Sequence, residues 1–146
     1  MNDIAKDFNY NTAGSYIVNQ GNVGSDAVPF GRISAPIKKQ ATEVSYPAGS
    51  IMGKITATGE WTPVDVDASD GSEVAQGILF DKVVVADDTN TDSVTAPIDT
   101  GDMVVHSAYL SLTASVTIAQ LDAIKLAMET AGFTFRNWDE NEFVTT

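Results

Sequence analysis

Two interleaved sets of residues predict a β-hairpin in the middle of the chain. Residues 51–58 alternate with the period of two that is typical of a half-buried strand. Gly59-Glu60 then supplies the Gly-first turn of a two-residue hairpin, and a return strand is expected over residues 61–66. Because Pro63 cannot donate a ladder hydrogen bond, this return strand is predicted to lie at a sheet edge or to carry a bulge. The inward-facing set is Ile51, Gly53, Ile55 and Ala57.

Further strands are expected after the hairpin. An apolar run begins at residue 74, and we expect its strand to continue through residue 86. A short strand is expected over residues 94–98, where Pro97 should confine it to a sheet edge. The run over residues 103–110 is the next most strand-like segment. The chain is therefore predicted to be mostly β.

One helix is predicted, beginning after Thr117. Thr117 and Gln120 have the spacing of a capping box, and Gly132 is the expected stop. A short strand should follow over residues 133–135. The apolar residues between the two helix ends recur at helical spacing and form one stripe. These residues are Ile118, Leu121, Ile124 and Met128.

The N-terminal segment, residues 1–44, has a different composition from the rest of the chain. It is rich in Asn, Gly, Ser, Ala and Thr, and short apolar clusters interrupt it. One interpretation is a tail without fixed structure. The alternative, which the spaced aromatic residues favour, is an extended arm that becomes ordered on a partner surface. We therefore divide the chain into an arm, residues 1–44, and a β-rich domain, residues 45–146, which should fold without the arm.

Composition narrows the possible classes of protein. A length of 146 residues fits one domain, and the absence of cysteine excludes disulfides, thiolate catalysis and cysteine zinc sites. No secretory signal or membrane-length apolar run is visible, so we expect a soluble protein made in the cytosol. Residues 1–40 carry a net charge of +1 and residues 41–146 one of −13, which together give −12. The strong negative charge of residues 41–146 argues against nucleic-acid binding, because the phosphate backbone is bound by clustered Lys and Arg side chains.

The candidate chemical groups point away from catalysis. An acidic cluster suggests a calcium loop, but Ser69 and Gln76 stand where that loop requires ligands, so capping of turns is the favoured role. The cluster consists of Asp65, Asp67, Asp70 and Glu73. His106 is the only histidine, and no cysteine or second histidine could complete a metal site. No nucleophile elbow, phosphate-binding loop or dinucleotide-binding motif is present. We therefore predict no catalytic residues, no metal, no cofactor and no small-molecule substrate.

The hairpin region also resembles a known family. The matching residues are Gly53 to Trp61, Asp65, Asp70-Gly71-Ser72 and Gly77-Ile78-Leu79. In these positions the chain is similar to the lambda-type phage head decoration proteins, and the similarity continues more weakly to Arg136. It leaves about the first 40 residues uncovered. The resemblance implies a compact β-clip-like domain with one C-terminal helix, and trimers that bind the outside of an icosahedral head and stabilise its expanded shell.

The resemblance also implies a partner, the major capsid protein, which the N-terminal segment of such proteins reaches by strand pairing. In this arm the expected capsid-binding residues are Tyr16, Ile17, Val18, Phe30, Arg32 and Ile33. The expected trimer interface includes Trp61, Val105, His106 and Tyr109. Two alternatives stay open at this point. One is a virion-surface adhesin or carbohydrate-binding module, for which Trp61 is the candidate aromatic platform, and the other is a β-clip enzyme.

Overall fold

The computed structural model describes residues 17–19, 31–101 and 103–143. Within these ranges the chain forms ten strands, one α-helix and two short 3-10 helices, which confirms the predicted mostly-β fold with a single C-terminal helix. The elements are β1 (Ile17–Asn19), β2 (Arg32–Pro36), β3 (Val44–Tyr46), β4 (Ile51–Lys54), β5 (Trp61–Pro63), β6 (Ala75–Leu79), β7 (Val83–Val85), β8 (Thr95–Asp99), β9 (Met103–His106), a 3-10 helix (Ser107–Tyr109), α1 (Ile118–Ala131), β10 (Phe133–Arg136) and a 3-10 helix (Glu140–Glu142).

A five-stranded antiparallel sheet, with strand order β2-β8-β6-β4-β5, forms the centre of the fold. β5 lies at an edge, as Pro63 predicts. β8 does not, so the edge position predicted from Pro97 is wrong. Pro97 is tolerated because it faces β6 where that strand has ended: the Pro97 carbonyl accepts a hydrogen bond from the Phe80 N–H at 3.0 Å, and no reciprocal donor is needed there.

The connection between β4 and β5 is longer than the predicted two-residue turn. Lys54 pairs with Trp61, so six residues, 55–60, link the two strands. The Ile55 N–H donates to the Glu60 carbonyl, and the Gly59 N–H donates to the Ile55 carbonyl, both at 2.8 Å. Gly59 has a φ of 75°, which explains the need for glycine in this loop. Strand β4 therefore ends at residue 54, four residues before the alternating sequence pattern does.

Both faces of the central sheet are buried, so the prediction of a half-buried hairpin strand is also wrong. Ile51 packs into one hydrophobic cluster and its neighbour Met52 into another. Ile78 and Leu79 on β6 divide in the same way. Successive residues of a strand point to opposite faces, so the sheet separates two cores. The first core includes the helix, and the second includes Trp61 and the end of β2.

β7 is a separate strand and not a continuation of β6. It pairs with β3 in a two-stranded antiparallel sheet, with Ser45 opposite Val84. Phe80 still donates its N–H to the Pro97 carbonyl of β8, but Pro97 has no N–H to donate in return. The chain then bends at Asp81, which accepts a hydrogen bond from the Lys82 N–H at 2.8 Å.

The helix begins and ends where the sequence predicts. Thr117 and Gln120 form a reciprocal capping box, and Gly132 ends the helix in the left-handed conformation with a φ of 111°. Of the predicted stripe, Leu121, Ile124 and Met128 are buried, whereas Ile118 in the first turn is 42% exposed. After the helix, β10 pairs in parallel with β9, and β1 pairs with the other flank of β9.

Part of the expected arm lies within the body. β2 forms five register pairs with β8, from Arg32 opposite Asp99 to Pro36 opposite Thr95. Ala35 and Ile37 are 1% and 2% exposed in the second core. An isolated bridge then joins Ile37 to Trp61, so the chain continues from one edge of the central sheet to the other. Residues 32–37 therefore pack with the central sheet.

Candidate functional site

The N-terminal residues expected to bind a partner surface lie partly outside the described residues and partly on strands β1 and β2. Tyr16 and Phe30 lie outside the described residues. β1, which includes Ile17 and Val18, forms an antiparallel pair with β9 of the same chain: Ile17 lies opposite Val105 and Asn19 opposite Val104, with an irregular register between them. The backbone of this segment therefore adopts the predicted strand, and its partner in the free chain is the chain's own sheet.

Arg32 is bound to the body by a buried carboxylate. Its Nε lies 2.6 Å from Asp99 Oδ1 and its Nη2 lies 3.2 Å from Asp99 Oδ2, and the Asp99 side chain is completely buried. The guanidinium carbon also lies 3.5 Å from the centroid of the Phe80 ring. Two parallel hydrogen bonds and a stacked aromatic ring are contacts that arginine makes and lysine does not. The guanidinium of Arg32 is thus engaged within the chain.

Ile33 is the predicted anchor that remains accessible. It follows Arg32 on β2 and is 41% exposed, although its neighbours on the same face, Ala35 and Ile37, are buried. β2 is also an edge strand, with β8 on one flank. An exposed β-branched residue on a sheet edge is suited to contact an added strand or a partner surface.

The four residues expected at a subunit interface divide into two pairs. Trp61 and Val105 are 4% and 0% exposed and pack in the two cores of the chain. His106 and Tyr109 are half-buried, with ring centroids 5.7 Å apart in an edge-to-face arrangement. The His106 Nδ1 accepts a hydrogen bond from the Ala108 N–H at 3.1 Å, which caps the short 3-10 helix. Of the four, His106 and Tyr109 have surface that a second copy could contact.

The acidic residues after β5 cap turns, as the sequence predicts. An Asp70 carboxylate oxygen accepts hydrogen bonds from the Ser72 N–H at 3.0 Å and the Ser72 hydroxyl at 2.6 Å, which lower the pKa of Asp70. Asp65 caps in the same way by accepting from the Asp67 N–H at 3.0 Å, and Glu73 accepts from the Gly71 N–H at 2.8 Å. Among residues 17–19, 31–101 and 103–143, no group of three metal-binding side chains occurs.

A groove of about 510 Å³ lies beside these turns, between β5 and residues 112–116. Its walls include Tyr46, whose pKa is raised because burial disfavours the phenolate. Trp61, the aromatic platform that the carbohydrate-binding alternative requires, is buried in the core and does not line this groove. The groove therefore lacks the exposed aromatic surface on which that alternative depends.

The comparison with known families identifies the family of this chain. The sequence model described as bacteriophage lambda head decoration protein D matches residues 11–133. The chain belongs to this family. Its members are structural proteins that decorate the phage head, so this chain is a capsid decoration protein of the virion. No curated protein and no solved structure is significantly similar to it.

The extent of the family match changes the view of the N-terminal segment. The resemblance seen in the hairpin motifs leaves about 40 residues uncovered, whereas the family match begins at residue 11. It therefore includes β1 and β2 of this decoration protein. No helix in the described ranges is long and apolar enough to cross a membrane.

The sequence does not reveal the pairing of Asp99 and Phe80 with Arg32. Arg32 and Asp99 are 67 positions apart in the sequence. A single acidic residue at the end of an apolar strand is the one available signal, and the same pattern is common at ordinary strand ends. The pair becomes recognisable only once β2 and β8 are known to be neighbours.

Proposed function

We propose that this decoration protein binds the outer surface of an icosahedral phage head as a homotrimer, contacts the major capsid protein and stabilises the expanded shell. The family match over residues 11–133 is the observation that supports this proposal. The protein acts by binding alone, without catalysis, cofactor or nucleic acid. Shell stabilisation follows from mass action, because a ligand that binds the expanded shell more tightly shifts the equilibrium toward it.

The segment before Gly31 is the proposed means of attachment. Residues 1–30 carry one lysine and three aspartates, a net charge of −2, whereas residues 31–146 carry a net charge of −10. A weakly charged segment can lie between capsid subunits with little repulsion, whereas the more acidic body would be repelled by an acidic shell. Tyr16, Ile17 and Val18 would then add a strand to a capsid sheet, with Phe30 and Ile33 as apolar anchors beside the body.

Arg32 has an indirect part in this attachment. Its ion pair with Asp99 fixes the first residues of β2 to the central sheet. The segment before Gly31 therefore leaves the body at a defined position. We assign Arg32 to positioning the arm on the body, next to the anchor Ile33.

A trimer would multiply the effect of each arm. Three weak attachments on one rigid assembly bind far more tightly than a single one, provided that the geometry allows all three to engage. His106 at the end of β9 and Tyr109 in the 3-10 helix that follows are half-buried, and they are the proposed contacts between copies. Closed symmetric assembly also covers strand edges that would otherwise pair indiscriminately.

Co-sedimentation with purified heads tests the proposal. Heads that lack the decoration protein are mixed with purified protein before and after expansion, and bound protein is quantified. We expect saturable binding to expanded heads, and expanded heads that withstand a higher temperature or denaturant concentration once saturated. Equal binding to both forms, or saturation without any gain in head stability, would contradict shell stabilisation.

A further inference from the structure

The flank of β9 that β1 occupies is a strand-acceptor edge. β9 has β10 on its other flank, so β1 completes the three-stranded sheet. An open strand edge is a site at which another strand can add. In the free chain its occupant is a strand from the very segment to which we assign capsid binding.

β1 is held weakly at this site. It contains three residues and forms two register pairs, Ile17 with Val105 and Asn19 with Val104, which are not in continuous register. A typical backbone hydrogen bond contributes about 0.5–1.5 kcal/mol. A short, irregular edge strand is among the first parts of a fold to open locally.

The chain between β1 and β2 is long enough for β1 to leave without disturbing the body. Gly31 lies next to Thr100, whose N–H donates to the Gly31 carbonyl at 2.9 Å. Thr100 precedes Val104 by four residues, about 13 Å of extended chain, whereas residues 20–30 could span about 36 Å. β2 itself is held by the Arg32–Asp99 ion pair. Release of β1 therefore need not disturb any pairing that follows Gly31.

We propose that the Val104–Val105 edge of β9 holds β1 in the free protein and releases it when the protein attaches to the head. This inference rests on the proposed function of the arm. The capsid strand is proposed to take the same backbone flank of β1 that pairs with β9, so the self-docked state competes with attachment. Docking on β9 also protects the free arm from pairing with the wrong partner before it meets the head.

A disulfide between paired residues tests where β1 lies. The chain has no cysteine, so an Asn19→Cys/Val104→Cys double variant has no background thiols. Opposed residues in antiparallel strands have Cα atoms about 4.5–5.5 Å apart, within the range of about 4.4–6.8 Å that a disulfide spans. Val104 is half-buried, so its replacement leaves the core residue Val105 in place. The two single-cysteine variants serve as controls.

Mild oxidation with oxidised glutathione and a non-reducing gel give the first result. We expect an intramolecular disulfide in the double variant, seen as a monomer with altered mobility that reduction reverses. Absence of a disulfide would overturn the proposal, because β1 would then not occupy β9. A disulfide that joins two chains would also overturn it, since the strand would then belong to a neighbouring copy.

Head binding gives the second result. We expect the oxidised double variant to bind expanded heads at least tenfold more weakly than the same protein after reduction, while oxidation leaves the binding of each single-cysteine variant unchanged. Equal binding of the oxidised and reduced forms would overturn release.

A variant lacking residues 1–19 separates this outcome from the proposed function. If that truncated protein binds normally, the arm does not carry attachment. If it fails to bind while the oxidised form still binds, the arm role stands and release is wrong.

Discussion

Arg32 and Asp99 lie opposite each other on neighbouring strands and form a two-point ion pair, with the Asp99 side chain completely buried and the Arg32 side chain 15% exposed. The pair joins the end of β8 to the start of β2, directly after the segment proposed to bind the head. It therefore connects the stability of the body to the position of the arm.

Loss of Arg32 should strongly destabilise the body. Arg32→Ala removes two hydrogen bonds and a full charge from beside a buried carboxylate, and breaking such pairs costs about 3–5 kcal/mol. We expect the free energy of unfolding in urea to fall by that amount. Arg32→Lys should recover only part of it, because lysine lacks the planar fork. Ser34→Ala, an exposed change on the same strand, is the control and should be nearly neutral. Equal stability of Arg32→Ala and Ser34→Ala would contradict a structural role for the pair.

Two truncations should locate the boundary between arm and body. Removing residues 1–30 deletes β1 and leaves β2, so we expect a loss of about 2 kcal/mol or less. Removing residues 1–37 also deletes β2 with Ala35 and Ile37, and large-to-small changes at a buried isoleucine alone cost about 2–5 kcal/mol. Thermal unfolding of both proteins gives the comparison. Similar melting temperatures would place β2 outside the cooperative body.

A side chain at residue 77 should disrupt the central sheet. A Cβ atom there would lie 2.7 Å from Ile98 Cγ2, 2.9 Å from the Asp99 carbonyl oxygen and 3.0 Å from Trp61 Cζ3. We expect Gly77→Ala to lower stability by about 1–3 kcal/mol in denaturant unfolding, as overpacked cores do. Gly59→Asn is the matched control, because that position is open and asparagine tolerates the left-handed conformation. A larger loss at Gly59 than at Gly77 would contradict the packing argument.

The hydroxyl of Ser72 should set the pKa of Asp70. Its hydrogen bond lowers the pKa of Asp70 by favouring the carboxylate, so we expect Ser72→Ala to raise that pKa toward its ordinary value. A lowered pKa in the folded state stabilises the protein above the unfolded pKa, and that stabilisation is lost as the pH falls through the folded pKa. The stability difference between wild type and variant should therefore shrink on acidification below about pH 4. Carboxyl NMR titration measures the pKa directly, with Asp87, whose pKa is lowered by Thr89, as the unchanged control.

Local sequence signals predicted the helix better than the sheets. Thr117, Gln120 and Gly132 lie within one segment, and each acts on the backbone beside it, so the helix ends follow from the sequence. Pro63 likewise placed β5 at an edge. Pro97 failed as the same signal because its tolerance depends on where β6 ends, a property of a distant segment.

The burial of Trp61 and the pairing of Arg32 were not predicted from the sequence, and both for the same reason. Both depend on the segment after Gly31 crossing the central sheet: Ala35 and Ile37 cover the core in which Trp61 lies, and Arg32 reaches Asp99. Ile33, Ala35 and Ile37 alternate with other residues at the period of a strand, but the polar, turn-rich composition of residues 1–44 as a whole indicated an arm. A polar stretch can still supply an edge strand when its few apolar residues fall on one face, as Ala35 and Ile37 do. The division of the chain into an arm, residues 1–44, and a domain, residues 45–146, stays a prediction.

Cryo-electron microscopy of heads saturated with the protein tests the central claim most directly. Difference density between decorated and bare expanded heads should show three copies of the β-rich body around three-fold positions on the outer surface. From each copy, density for the segment before Gly31 should continue into a sheet of the major capsid protein. Added density inside the shell, isolated single copies, or bodies attached to the capsid without any contribution from that segment would contradict the account.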